Sequence, residues 1–252
     1  RTLRVSASSS ASLSQLYVAD LVEVCRSDRD TLNSYGQPVT LTFRNMAARI
    51  RLGIYETVEG YTVSDVTFRS AAGRFADSRT HALLDGLCLR PDSAVTYQVT
   101  YDGCTAHARL LHPDATGLTG VIDFGTFSTG TIGTQSGNPT WAGGTADYLC
   151  VLPNESHPAE MTLYIDYLLK ADDGSKDAIQ VTGARVTVPA PYMAWRPNCA
   201  YTYLFNISAH MGTTGDEGTD PYCLYPITSK VIVTTYGDTT GVTHQLPRAR
   251  IH

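Results

Sequence analysis

Charge is scarce in this sequence. Only 17% of its 252 residues are Asp, Glu, Lys or Arg, below the ~25% usual for soluble domains. No Lys/Arg-rich run occurs, and a net charge of -5 repels phosphate backbones, so nucleic-acid binding is disfavoured. Apolar runs of membrane-spanning length are also lacking; the longest are strand-sized. No signal peptide begins at Arg1, which is compatible with a mature or trimmed form and equally with a cytosolic protein. The six cysteines (Cys25, Cys88, Cys104, Cys150, Cys199 and Cys223) include no CxxC pair, which argues against a zinc ribbon or a thioredoxin-like site. Their density is too low for a disulfide scaffold in a chain this long. Most are expected to be buried apolar residues, with one or two disulfides open to an exported chain.

Catalytic spacings are missing too. There is no GxSxG elbow, HExxH, P-loop or GxGxxG. His81, His107, His112, His157, His210, His244 and His252 are scattered, none paired at metal-ligand spacing. Two acidic groups bear on calcium: Asp172, Asp173 and Asp177, and Asp216, Glu217 and Asp220. Neither has the alternating acidic positions and distal Glu of an EF-hand loop, so a polar hairpin and a polar loop are expected. No catalytic, cofactor-binding or metal-ligating residue is assigned, and the chain is not expected to be an enzyme.

What is present is the material of an all-β protein. Hydrophobic residues make up 42%, Tyr (15) outnumbers Trp (2), and 21 Gly and 12 Pro cut the chain into short Tyr-, Thr- and Val-rich segments. Ser6–Ser14 reads as loop or edge, and Leu16–Cys25 is apolar without a clean period, so helix and strand are both open there. No strand candidate stands out at the N-terminus. After a turn at Asn33-Ser34-Tyr35-Gly36, the apolar residues Val39, Leu41 and Phe43 alternate with polar ones. Met46, Ala48, Ile50, Leu52 and Ile54 then alternate in the opposite parity. A parity switch within one long strand is the mark of a β-bulge. Arg44, Arg49 and Arg51 are the charged members of this strand; Arg49 and Arg51 lie opposite Ile50 and Leu52 and read as a solvated face in preference to an anion site.

Val66 and Phe68 mark a strand over Tyr61–Arg69, and Asp77–Leu87 is compatible with a short helix capped by Ser78 and ended at Pro91-Asp92. Val95, Tyr97, Val99 and Tyr101 alternate strictly before an Asp102-Gly103 turn, and a strand is expected over Gly120–Phe127. The Gly- and Ser-containing stretch from Gly130 to Gly144 is the expected domain change, giving domains 1–143 and 144–252. Strands are then expected at Tyr148–Leu152, Met161–Tyr167, Ile179–Val188, Tyr201–Ile207 and Ile227–Val233, with a hairpin turn at Asp172-Asp173-Gly174. Frequent turns between short strands are a sandwich pattern.

One stretch is more specific. Met193-Ala-Trp-Arg-Pro-Asn-Cys-Ala-Tyr-Thr-Tyr-Leu-Phe-Asn-Ile207 resembles a signature of the fimbrillin-like proteins of Bacteroidales, in which a Trp, a Pro-Asn turn and a Tyr-x-Tyr-x-Phe-x-Ile strand recur. Pro197-Asn198 bends the chain, Trp195 anchors the entry, and Tyr201, Tyr203, Phe205 and Ile207 share one face. Tyr148-Leu-Cys-Val-Leu-Pro153, Met161–Tyr167, Val186-Thr-Val-Pro189 and Leu224-Tyr-Pro-Ile227 resemble that family's elements in order. Upstream, Val39–Ile54 is similar to its long N-terminal strand, although Arg44-Asn45 stands where a His is common. The resemblance covers roughly 37–236 and is strongest as an ordered set over 145–236.

It implies two transthyretin-like β-sandwich domains in an exported lipoprotein of the outer membrane, trimmed in many members by an Arg-directed protease. It also implies a fimbrial subunit, in shaft, anchor or tip. Removal of a first strand would open a groove for a neighbouring subunit's terminal strand, which makes Thr234–His252 a candidate donor strand or flexible tail. The expected partners are other fimbrial subunits and host or bacterial surface ligands. The alternatives are a surface adhesin binding carbohydrate or a host ligand without polymerising, and a secreted hydrolase with carboxylates converging in a cleft.

Overall fold

In the computed structural model, the described residues are 1–5, 10–24, 36–70, 81–87, 94–111, 119–127, 130–155, 158, 160–208, 227–235 and 242–245. Their regular structure is almost entirely strand. In chain order the first are β1 (Thr2–Val5), β2 (Tyr17–Ala19), β3 (Phe43–Asn45), β4 (Ala48–Thr57), β5 (Tyr61–Ser70), β6 (His81–Leu87), β7 (Val95–Asp102), β8 (Thr105–Leu111) and β9 (Thr119–Thr126). Then come β10 (Thr140–Trp141), β11 (Leu149–Val151), β12 (Met161–Ala171), β13 (Ala178–Val188), β14 (Cys199–Ser208), β15 (Ile227–Thr235) and β16 (Val242–Gln245). A five-residue helix, α1, spans Ser10–Ser14.

A six-stranded sheet runs β10-β4-β14-β15-β16, with β11 also on β4, and a three-stranded sheet runs β13-β12-β5. Alternation decides which side chains meet between them. Ile50, Leu52 and Ile54 of β4, Tyr201, Tyr203, Phe205 and Ile207 of β14, and Leu163, Ile165, Tyr167 and Leu169 of β12 all enter one core. Phe68 is its centre, stacked on Phe127 at 5.0 Å and tilted against Phe205 at 5.2 Å. Each such side chain contributes about 1.5–3 kcal/mol by leaving water. A second, smaller core holds Val5, Leu13, Met46, Ala47, Val95, Tyr97, Val99, Leu110, Cys150 and Leu152. It is covered by the sheet β1-β7-β8 and the pair β2-β3.

Strand β4 lies parallel to β14, with Ile50 opposite Tyr201 and Ile54 opposite Phe205. Residues on both sides of 143/144 therefore share one sheet and one core. The chain crosses between cores at residues 46 and 47. Met46 and Ala47 are both buried in the smaller core, and Ala48 and Ile50 both enter the larger one. The parity switch is thus a break between β3 and β4, in two different sheets, and not a bulge within one strand. Asn45 fixes it, its Oδ1 accepting from the Ala47 N–H at 2.8 Å. The Pro197-Asn198 turn locks on top: Asn198 Oδ1 accepts from the Asn45 N–H at 3.0 Å and the Asn198 N–H donates to the Ala47 carbonyl at 3.0 Å. Asn198 is left-handed (φ 61°), a conformation Asn tolerates better than most residues.

Other expectations change. Residues 81–87 form β6, paired with β9, and not the helix expected over Asp77–Leu87; Ser78 lies outside the described residues. Seven residues make less than two helical turns, and pairing with β9 outweighs so weak a local preference. Val39 and Leu41 precede β3 in irregular chain and are exposed, as is Phe43, so their alternation does not mark a buried face. The N-terminus supplies strand β1 after all, α1 falls within the Ser6–Ser14 stretch, and Leu16–Cys25 resolves into β2 followed by irregular chain to residue 24. In the three-stranded sheet β12 shifts register against both neighbours at Asp166–Tyr167. Left-handed Asp65 (φ 53°) in β5 and Gly183 (φ 71°) in β13 absorb the extra residues. Asp166 Oδ1 accepts from the Gly183 N–H at 2.6 Å.

Candidate assembly interface

A sheet grows only where an edge leaves N–H and C=O groups unpaired, so the edges are the candidate functional surface. The Trp195–Ile207 stretch stiffens the strand at the centre of the larger sheet. Trp195 is fully buried and its Nε1–H donates to the Tyr203 hydroxyl at 2.8 Å, which in turn donates to the Tyr192 carbonyl at 2.7 Å. Tyr201 donates to the Ala194 carbonyl at 2.9 Å and accepts from the Arg196 N–H at 2.9 Å. Asn154 Oδ1 accepts from the Trp195 N–H at 2.7 Å, tying the end of β11 to the same turn. Burial pushes the Tyr203 phenol far above its ordinary value and the Tyr201 phenol up to about 12. Both stay protonated and keep donating.

One edge of the larger sheet is closed. β10 pairs with β4 at Gly53–Ile54 and β11 pairs with it at Ala48–Ile50, and residues 142–148 strap across the gap. Arg51 latches the strap. Its guanidinium lies 4.4 Å from the Trp141 ring centroid and 4.3 Å from that of Tyr148. Nε donates to Thr202 Oγ1 at 2.9 Å and Nη1 to the Ala146 carbonyl at 2.9 Å. Gly53 makes room: a Cβ there would meet Leu204 at 2.8 Å and Trp141 at 2.9 Å. Arg51 is therefore a clamped cation and not the freely solvated side chain expected. The sequence signal for it was two aromatics, Trp141 within the Gly-rich stretch read as the domain change and Tyr148 at the start of the expected strand Tyr148–Leu152.

The opposite edge is thinly covered. Among the described residues β16 pairs with Lys230–Val233 of β15, and it is the part of the candidate donor segment Thr234–His252 that the structure describes beyond Thr235. In the facing sheet β13 is an edge strand, and Ala178–Gln180 are exposed.

In the smaller unit β1 is the edge strand, paired antiparallel with β7 from Thr2 opposite Gln98 to Val5 opposite Val95. Three of its four side chains are exposed and only Val5 is buried, so backbone bonds hold it more than packing does. Beneath it the Tyr97 hydroxyl is buried with no hydrogen-bond partner among the described residues, and burial pushes its pKa far up. Across the same unit Leu21, Val22, Val24, Val39, Leu41 and Phe43 are exposed. Asp20 holds this region together. Its carboxylate takes two bonds from Arg44, at 2.8 and 2.9 Å, and one from the Ala106 N–H at 2.8 Å. Those bonds, that of Arg44 foremost, hold its pKa below the ordinary carboxylate range.

Asp172, Asp173 and Asp177 close the β12–β13 hairpin. Asp173 Oδ1 accepts from the Ser175 N–H at 2.8 Å, the Ala171 N–H donates to the Asp177 carbonyl at 3.0 Å, and Thr62 donates to Asp172 at 2.5 Å. Asp216, Glu217 and Asp220 lie outside the described residues, as do Cys25, Cys88 and Cys223. Cys104 is exposed, Cys199 half-buried, and Cys150 buried beside Arg49 with its thiol pushed up by burial. Among the described residues no three metal-ligating side chains converge, and no helix is long and apolar enough to cross a membrane.

No protein-family model matches the chain, and no curated protein does. Among solved structures the chain is similar to a fimbrial protein from Bacteroides vulgatus, at 14% identity and a TM-score of 0.42 over 78% of this chain and 56% of that one. It is also similar to two proteins each named "putative cell adhesion protein". That from Parabacteroides distasonis is 12% identical, with a TM-score of 0.33 over 78% of this chain and 60% of that one. That from Bacteroides eggerthii is 14% identical, with a TM-score of 0.28 over 78% of this chain and 59% of that one. The chain thus spans under two thirds of the length of each.

Proposed function

We propose that the protein is a subunit of a bacterial surface fimbria, joined to its neighbours by strand addition. The Trp195–Ile207 unit carries this reading. Its spacing resembles that of the fimbrillin-like proteins, and its side chains form the locked centre of a sheet bounded by a replaceable edge strand. Two further features support it. β1 is held with one buried side chain, so its loss costs little packing and frees the β7 edge over a formed core. Among the described residues β16 adds a four-residue ladder to β15, which supports reading the C-terminal segment as a strand that can leave one edge and pair with another. A head-to-tail contact of this kind does not close and grows a fibre. The two hydrophobic cores are read as two sandwich domains of the transthyretin-like type. Export, a lipid anchor on the precursor and an outer-membrane location belong to the same reading.

The test is assembly. Intact protein trimmed by an Arg-directed protease is expected to give detergent-resistant ladders, and a chain lacking residues 239–252 is expected to give none. Undiminished ladders from the truncated chain would remove the donor role. Absence of ladders from the intact, trimmed protein would remove polymerisation altogether.

A further inference from the structure

The outer face of the six-stranded sheet is chemically unlike the rest of the molecule. By alternation it carries Arg49, Arg51 and Tyr55 from β4, Thr202, Leu204 and Asn206 from β14, and Thr228, Lys230 and Ile232 from β15. Three of these are cations in a chain of net charge -5, and the outward positions of these three strands hold no carboxylate.

We propose that this face binds an acidic polysaccharide, one carrying uronate carboxylates, independently of whether subunits polymerise. Arg51 is the fixed point. Held between Trp141 and Tyr148, with Nε and one Nη1 proton engaged, it retains its Nη2 group for a carboxylate, and its side-chain ordering is already complete before a ligand arrives. Lys230, with its Nζ 5.8 Å from the Tyr55 ring centroid, supplies a second positive charge two strands away. Alternate residues on a strand are about 7 Å apart and neighbouring strands about 4.8 Å, which sets Arg51 and Lys230 roughly 12 Å apart across a flat face. Uronates along an extended sugar chain recur on that scale.

The occupant is a glycan and not a protein because the apolar side chains of the face, Leu204 beside Trp141 and Ile232, are buried or half-buried and offer no protruding anchor. Among the described residues, the exposed large hydrophobic side chain with a hydrogen bond to this face is Tyr17, at the Arg49 end, where its hydroxyl accepts from Arg49 Nη2 at 3.3 Å. Protein interfaces need a dry apolar centre. Half-buried Asn206 and Thr228 beside clamped aromatics and cations suit a hydrated, charged sugar instead.

The probe is a short galacturonate oligosaccharide, with its methyl-esterified form as the uncharged counterpart, titrated into the intact chain by calorimetry and by tryptophan fluorescence. The expected result is salt-sensitive binding of the charged form alone, with a fluorescence change. Lys230→Glu is expected to weaken it about tenfold at unchanged melting temperature, since reversing one surface charge changes a pair of this exposure by that order. Arg51→Lys, which keeps the charge and loses the fork, weakens it as well. Equal binding of the esterified form, no binding, or full affinity in Lys230→Glu overturns the proposal. Equally tight binding of a single-stranded DNA oligonucleotide also overturns it, because the face would then read charge density and not sugar.

Discussion

The same substitution, Tyr to Phe, is expected to have opposite effects at Tyr203 and Tyr97. Both phenols are fully buried. The Tyr203 hydroxyl accepts from Trp195 Nε1 and donates to the Tyr192 carbonyl, so Tyr203→Phe leaves the buried indole N–H without its acceptor. An orphaned buried group costs about 1–3 kcal/mol. At about 2–4 °C per kcal/mol for a chain of this size, the melting temperature falls by roughly 2–12 °C. Tyr97 has no described partner to lose. Removing its hydroxyl relieves a desolvated group without opening a large void, and Tyr97→Phe is expected to stabilise by about 1 kcal/mol. Calorimetry with urea unfolding of both variants measures this. Comparable destabilisation by the two substitutions would refute the reasoning, for it would mean that the Tyr97 hydroxyl is satisfied in solution.

Further outcomes follow from single side chains. Glu56 is buried at the end of β4, and burial, with the Asp172 charge, raises its pKa from 4.5 although the Val58 N–H donates to it at 2.6 Å. The folded state therefore favours its protonated form; that stabilisation is complete below 4.5 and is lost as pH rises through the raised value. Glu56→Gln keeps an acceptor for Val58 and is expected to remove this fall from the pH–stability curve. Asp20 has the opposite sign: its lowered pKa gives stability that is present above 3.8 and lost as pH falls through the lowered value, so Asp20→Asn flattens the acid limb. Gly53→Ala places a methyl against Leu204 and Trp141 and is expected to cost about 1–3 kcal/mol. Increased proteolysis within residues 142–148 would accompany it, as the strap lifts.

Much of the fold was legible because alternation is a local property. Tyr201, Tyr203, Phe205 and Ile207 announce a buried face by themselves, and Trp195 with Pro197-Asn198 announces the turn before it. The parity switch near Met46 was equally legible, but its meaning was not. One extra residue in a strand and a passage between two cores leave the same trace in sequence, and only the positions of Leu13 and Tyr97 on one side and Phe68 and Phe205 on the other distinguish them. The seven residues of β6 lack a decisive period, and pairing with β9 supplied what their own preferences did not.

The edges were the least legible part. Whether a strand is central or marginal depends on what lies beside it, and the neighbours here come from far along the chain: β14 beside β4, and β1 beside β7. The clamp on Arg51 likewise draws on residues 51, 141, 148 and 202. By itself the sequence determined an all-β chain with well-formed core faces and no catalytic spacing, because side-chain period and motif are written residue by residue. The tertiary structure alone decided which strands end a sheet and which cation is held still, because both depend on long-range pairing that no local pattern encodes.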